Sequence, residues 1–281
     1  GYREENKLIM DKNAPIGVFD SGVGGLTVAR EIMRQIPNER IVYFGDTARV
    51  PYGSKSKDNI IKFSRQIIRF LQTENVKAIV IACNTASALA LDEMQQEFDL
   101  PILGVVKPGA KVAVETTANK RIGLIGTEAN IRSGVYTRYI KSLDDEAKVF
   151  EKACPLFVPL VEEGWLHDDI TLQVASRYLE ELKEKDIDTL IMGCTHYPLI
   201  RSTIRKVMGD KVNLVNPAYE TAIELKNLLE RDNLANKCDV DSPSSMYRFY
   251  VSDAEEKFKL FANSILPFDI TMTKQINIEN Y

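Results

Sequence analysis

IVIACNTASA, residues 79–88, decides the fold. Ile79, Val80 and Ile81 form a short β-branched apolar run bounded by small residues, the pattern of a strand buried on both faces of a parallel sheet. Cys83, Asn84 and Thr85 follow at once, and Ala86, Ala88, Leu89, Ala90, Leu91 and Met94 open a helical pattern. Cys83 therefore stands where a strand hands over to a helix, the carboxyl edge at which open α/β sheets bind ligands.

The same order returns in LIMGCTHYPL, residues 190–199. Leu190, Ile191 and Met192 read as the strand, Gly193 is the small residue, and Cys194, Thr195 and His196 follow. Ile200, Ile204 and Val207 continue with helical spacing. A buried cysteine after one strand is ordinarily a small apolar filler. Its recurrence at an equivalent place predicts two thiols facing each other across a cleft.

Outward from these units, apolar runs alternate with helical patterns, which predicts α/β architecture with mostly parallel sheets and right-handed crossovers. Strands are expected at Ile16–Phe19, Ile41–Phe44 and Pro101–Leu103, with a helix whose apolar face is Ile60, Phe63, Ile67, Phe70 and Leu71, capped by Ser54 or Ser56. The pattern restarts at Ile122–Ile125. A β region is expected at 149–150 and 156–161, ending in Glu162, and residues 212–217 echo the strand at 101–103. Two halves of about 100 residues thus repeat one βα order, the length expected of domains. The remainder (a helix at 218–230, a polar stretch, an alternating strand at 246–251 and a short helix after Asp253) is expected to pack onto one of the halves. Residues 1–13 are polar and aperiodic and read as a flexible leader, with Met10 a candidate start.

The chain has 281 residues, 44% of them hydrophobic, and a net charge of −4 with Lys and Arg dispersed. That allows one large core or two of medium size, and it shows no basic patch of the kind nucleic acid needs. The four cysteines at 83, 154, 194 and 238 make no CxxC pair, and there are only two histidines, so a metal site is not expected. No signal peptide or membrane-spanning run is visible, and unpaired cysteines then point to a reducing cytoplasm. Gly22, Gly24 and Gly25 hint at a dinucleotide loop, but Thr27 stands where the third glycine belongs, and no GK[ST] occurs. These glycines are expected instead to let backbone approach a small substrate. Cys154 and Cys238 lack the strand-to-helix setting and read as structural.

Two thiols on opposite walls suit the inversion of a carbon that bears a hydrogen: one face needs a base and the other an acid, and a thiolate and a thiol exchange those roles. Asp20, Asp46 and Glu162, each read at a strand tip, and His196 are candidates to orient or activate a thiol. Ser21, Asn84, Thr85, Thr127 and Thr195 lie just after strands, where free N–H groups bind anions. A carboxylated small-molecule substrate fits.

DSGVGG at 20–25, GDTARVPYG at 45–53, ACNTASA at 82–88, VPLVEEG at 158–164 and GCTHYP at 193–198 together resemble the glutamate racemases, of the cofactor-independent amino-acid racemase superfamily. The likeness spans about residues 14–265, with five motifs in order. The resemblance implies interconversion of L- and D-glutamate for peptidoglycan, with no cofactor and by a homodimer. It makes Cys83 and Cys194 the two acid/bases, with Asp20, Asp46 and Glu162 assisting and His196 supporting Cys194. Ser21, Pro51, Tyr52, Gly53, Asn84, Thr85, Thr127 and Thr195 would surround the amino acid. It also implies two pseudo-symmetric α/β domains with the site between them: 14–107 with 216–275 on the Cys83 side, and 108–215 on the Cys194 side. The competing readings are a racemase of another acid such as aspartate, and a non-catalytic binding module or dithiol redox protein.

Overall fold

The structure, a computed structural model, describes residues 11–238, 242–270 and 273–281; residues 1–10 of the expected leader lie outside them. The elements in order are β1 (Ile16–Asp20), α1 (Leu26–Gln35), β2 (Ile41–Gly45), α2 (Lys57–Thr73), β3 (Ala78–Ile81), α3 (Asn84–Glu97), β4 (Ile102–Gly104) and α4 (Val106–Thr116). Next come β5 (Arg121–Gly126), α5 (Glu128–Ser133), α6 (Val135–Leu143), β6 (Lys148–Ala153), α7 (Phe157–Glu162), α8 (Asp169–Lys183), β7 (Thr189–Met192), α9 (Arg201–Met208), β8 (Asn213–Val215) and α10 (Pro217–Arg231). The chain closes with α11 (Pro243–Met246), β9 (Tyr247–Val251), α12 (Glu255–Ile265) and β10 (Thr273–Gln275).

Two sheets form, in the orders β10-β9-β2-β1-β3-β4 and β6-β5-β7-β8, and every strand pairing among the described residues is parallel. Alternation within strands gives each sheet two covered faces. In β3, Ala78 and Val80 enter one cluster and Ile79 and Ile81 the other. In β7, Leu190 and Met192 face one way and Ile191 the other. Period-2 side chains with apolar residues on both faces are what a helix-covered parallel sheet requires.

The quartets β2-β1-β3-β4 and β6-β5-β7-β8 share one plan: the first strand of each half lies inside, the second on one flank and the third on the other. The strand order therefore reverses at β1/β3 and again at β5/β7, and such switch points open a crevice beyond the carboxyl ends. Asp20 ends β1 and Cys83 follows β3; Thr127 follows β5 and Cys194 follows β7.

One expectation changes, and two elements appear that the sequence did not announce. The stretch expected as β at 156–161 is a helix, Phe157–Glu162, entered through Leu156: Phe157 and Val161, four apart, are buried while Leu156 is 52% exposed, and Phe157 packs edge-on to Tyr178 and Tyr197. A six-residue apolar run does not separate strand from helix by composition. Glu162 therefore ends a helix rather than a strand. The stretch after β4, for which the sequence announces no element, opens helix α4; Pro108 falls in its first turn, where a missing N–H costs no intrahelical bond. Strand β10 had no sequence forerunner; it adds to the sheet edge beside β9. Of the two candidate caps for α2, Ser56 takes the role, accepting from the Asn59 N–H at 3.2 Å.

Candidate active site

Cys83 is the cap of α3: its Sγ accepts from the Ala86 N–H at 3.5 Å. The Ser21 hydroxyl lies near enough to favour the thiolate as well. Burial, aided by the charge of Asp20, nevertheless pushes the Cys83 thiol up to about 12. Asp20 is itself raised by burial, although its Oδ2 accepts the N–H groups of Gly25 at 3.0 Å and Gly22 at 3.1 Å. In this half a protonated thiol sits among backbone donors with a buried carboxylate nearby.

Cys194 has other neighbours. No α-helix starts at it; a 3-10 turn, Tyr197–Ile200, led by Pro198, precedes α9. His196 is folded back so that Nδ1 lies 3.8 Å from Cys194 Sγ and Nε2 lies 3.1 Å from Glu162 Oε1. Burial opposes a charge on this ring, but the bonds to Cys194 and Glu162 win and lift its pKa to about 10. Glu162 is lowered, first by the hydrogen bond from His196, and its charge is further favoured by His196 and Lys257. The Phe261 ring of α12 closes over the imidazole at 6.2 Å.

The halves touch through specific bonds. Thr27 Oγ1 donates to the Thr195 carbonyl at 2.6 Å, and the Tyr136 hydroxyl donates to Asn84 Oδ1 at 2.7 Å. A Cβ on Gly24 would lie 2.3 Å from Thr195 Oγ1 and 2.5 Å from His196 Cε1. Gly24 lines the cavity, yet what crowds it is the Cys194 loop. Gly25 is crowded by Asp20 and Tyr43. At these two glycines the missing Cβ lets one stretch of the chain come close against another.

One cavity of about 570 Å³ takes both thiols in its lining. Asp20, Glu162 and His196 line it, as do Ser21, Pro51, Tyr52, Gly53, Asn84, Thr85, Thr127 and Thr195. Asp46 does not: it is fully buried behind Tyr52, whose hydroxyl it accepts at 2.5 Å. The burial of β2 on both faces carries the following carboxylate inward, so the expectation that Asp46 reaches a thiol fails. Arg132, Lys257 and Phe258 line the cavity without having been singled out in sequence. Arg132 lies in α5, after β5, and an exposed helical arginine carries no signal of its own in sequence. Lys257 and Phe258 come from α12, placed there by the return of the chain through β9. Among the described residues no group of three or more His, Cys, Asp and Glu could hold a metal ion, and no helix is long and apolar enough to cross a membrane.

Residues 16–223 match the Asp/Glu/Hydantoin racemase family. A glutamate racemase of Geobacter metallireducens is 44% identical over 264 residues, covering 94% of this chain and 97% of that one. Among solved structures, a glutamate racemase isoform of Bacillus anthracis superposes with a TM-score of 0.87 at 39% identity, covering 94% of this chain and 98% of that one. A glutamate racemase of Francisella tularensis in complex with D-glutamate also gives a TM-score of 0.87 at 39% identity, covering 96% and 100% of the two chains.

Proposed function

Since this chain belongs to the Asp/Glu/Hydantoin racemase family, as one of its glutamate racemases, we propose that it interconverts L- and D-glutamate by a two-thiol proton exchange. The observation that carries this reading is that Cys83 and Cys194 open onto one cavity from corresponding strand ends of two similarly ordered sheets.

In the L-to-D direction, Cys194 as thiolate takes the α-proton: the C–H bond breaks and an S–H bond forms. The Cys83 thiol, kept protonated by burial, delivers its proton to the opposite face. The D-to-L direction reverses the roles, and Asp20 is the carboxylate whose charge reaches Cys83. His196, braced by Glu162, presents a charged donor to Cys194. Tyr136 occupies Asn84 Oδ1, which leaves the Asn84 amide hydrogens for a substrate carboxylate. Thr127 Oγ1 accepts the Asn130 N–H at 3.3 Å as the cap of α5, and its own hydrogen remains to be donated. Arg132 and Lys257 add positive charge at the wall of a cavity that receives a dicarboxylate. We read the enzyme as a cytoplasmic, cofactor-independent homodimer that supplies D-glutamate to peptidoglycan. Its two units are 14–107 with 216–275, and 108–215.

In D₂O with no added cofactor, the purified protein should place deuterium on the α-carbon of glutamate from either enantiomer, far faster than on aspartate. Wild-type exchange by Cys194→Ala would end the two-thiol mechanism, and equal rates on aspartate would end the substrate assignment.

A further inference from the structure

Asp46 lies outside the cavity, yet it is held by three donors. The Tyr52 hydroxyl and Arg49 Nε share its Oδ2 at 2.5 and 2.7 Å, and Ser252 Oγ reaches Oδ1 at 2.8 Å. Arg49 is fixed in turn. Its Nη1 donates to Gln66 Oε1 at 2.5 Å and to Glu279 Oε1 at 3.2 Å, and its guanidinium lies 3.9 Å over the Phe63 ring. Gln66 Nε2 donates to the second Glu279 oxygen at 3.3 Å. At the other end, Tyr52 lines the cavity with Cys83 and packs in the same buried cluster as that thiol. A bonded chain therefore runs from Glu279, in the turn Ile278–Asn280, through Arg49 and Asp46 to a ring that shares its cluster and its cavity with Cys83.

We propose that Arg49, braced by Glu279, is a positioning residue for the Cys83 half: it holds Asp46, and through Asp46 it holds the ring of Tyr52 beside the thiol. A fully buried carboxylate needs a compensating charge, and Arg49 is the cation bonded to Asp46. Without it the buried carboxylate draws in water to replace the lost donor, and the Tyr52 hydroxyl loses its fixed partner. Among the described residues no hydrogen bond of this network reaches Cys194, which packs in a different buried cluster, so the effect falls on the Cys83 side. Its catalytic consequence rests on the racemase reading; its effect on the reactivity of Cys83 does not.

Arg49→Gln, Arg49→Lys and Glu279→Gln test this with two readouts. The first is iodoacetamide alkylation of Cys83 and Cys194, followed peptide by peptide without substrate. In Arg49→Gln, Cys83 should label several-fold faster relative to Cys194, because a misplaced ring exposes it. Arg49→Lys, which keeps the charge, should restore most of the protection, and Glu279→Gln should shift the ratio less in the same direction. The second readout is glutamate racemisation, whose kcat/KM should fall about tenfold in Arg49→Gln, the scale of a small misplacement in a catalytic site. An unchanged labelling ratio in Arg49→Gln overturns the inference, as does equal acceleration of both thiols. Should Arg49→Gln not fold, the Glu279→Gln ratio decides: a one-sided rise supports the inference and no change overturns it. A one-sided rise in a protein whose wild type does not racemise glutamate keeps the positioning role and removes the substrate assignment.

Discussion

Cys83 caps its own helix, whereas Cys194 leads into a proline-led 3-10 turn. Around Cys83 the polar partners are backbone N–H groups and a serine hydroxyl, with Asp20 buried nearby. Beside Cys194 stands an imidazole clamped by a carboxylate. One strand plan thus supports two proton environments: a thiol pushed up to about 12 by burial, and a sulfur next to a ring lifted to about 10. The lesson is that topology sets where the sulfurs stand, while the residues after each strand set how each sulfur handles a proton.

The largest expected effect removes the symmetry altogether. Cys83→Ala and Cys194→Ala should each cost racemisation about a thousandfold or more, toward the upper range for a general acid or base. Chiral chromatography of the product measures it, and a mild loss at one cysteine would mean that only one side does chemistry. His196→Asn comes next. It strips the relay from the Cys194 half alone, so kcat should fall by about ten- to a hundredfold, while the iodoacetamide reactivity of Cys83 stays as in wild type. If Cys83 responds as strongly as Cys194, the halves are not chemically separate.

Gly24→Ala probes the seam between them. The added carbon meets Thr195 and His196 well inside contact distance, and overpacking of this kind costs about 1–3 kcal/mol. Urea unfolding should show a lower midpoint with an unchanged slope, and wild-type stability would show that the seam gives way freely.

The smallest effect is in pH. His196, ordinarily at 6.5, is held near 10 in the fold, so its contribution to stability is complete below about 6.5 and is lost as pH rises through about 10. Glu162 is lowered from 4.5, so its contribution is present above that value and is lost on acidification through its shifted pKa. The melting-temperature gap between wild type and Glu162→Gln should therefore be widest between about pH 5 and 6.5 and should close toward pH 10. A gap that widens toward alkaline pH would contradict the imidazolium–carboxylate pair.

Much of this was legible along the chain. Strands β1, β2, β3, β5 and β7 were readable because helix-covered parallel strands are near-continuous apolar runs. The short run at 156–161 was misread because its burial follows a helical period over only two contacts, Phe157 and Val161. Helix α4 was hidden by Pro108 and Gly109, turn residues that a helical first turn tolerates. In the site, short polar residues directly after strands were found because the strand end aims them. Arg132 and Lys257 were not, since an exposed cation in a helix looks the same whether it faces a cavity or bulk water.

The sequence by itself determined that two cysteines close two buried strands at carboxyl edges, because strand burial and the strand-to-helix handover are local patterns. Only the tertiary structure decided that Glu162 meets His196, that Asp46 turns away toward Arg49, and that α12 brings Lys257 and Phe258 into the wall. Glu162 and His196 are far apart in the chain, as are α12 and the loops it joins at the cavity, and even the near neighbours Asp46 and Arg49 are aimed by the packing of one element on another rather than by any local propensity.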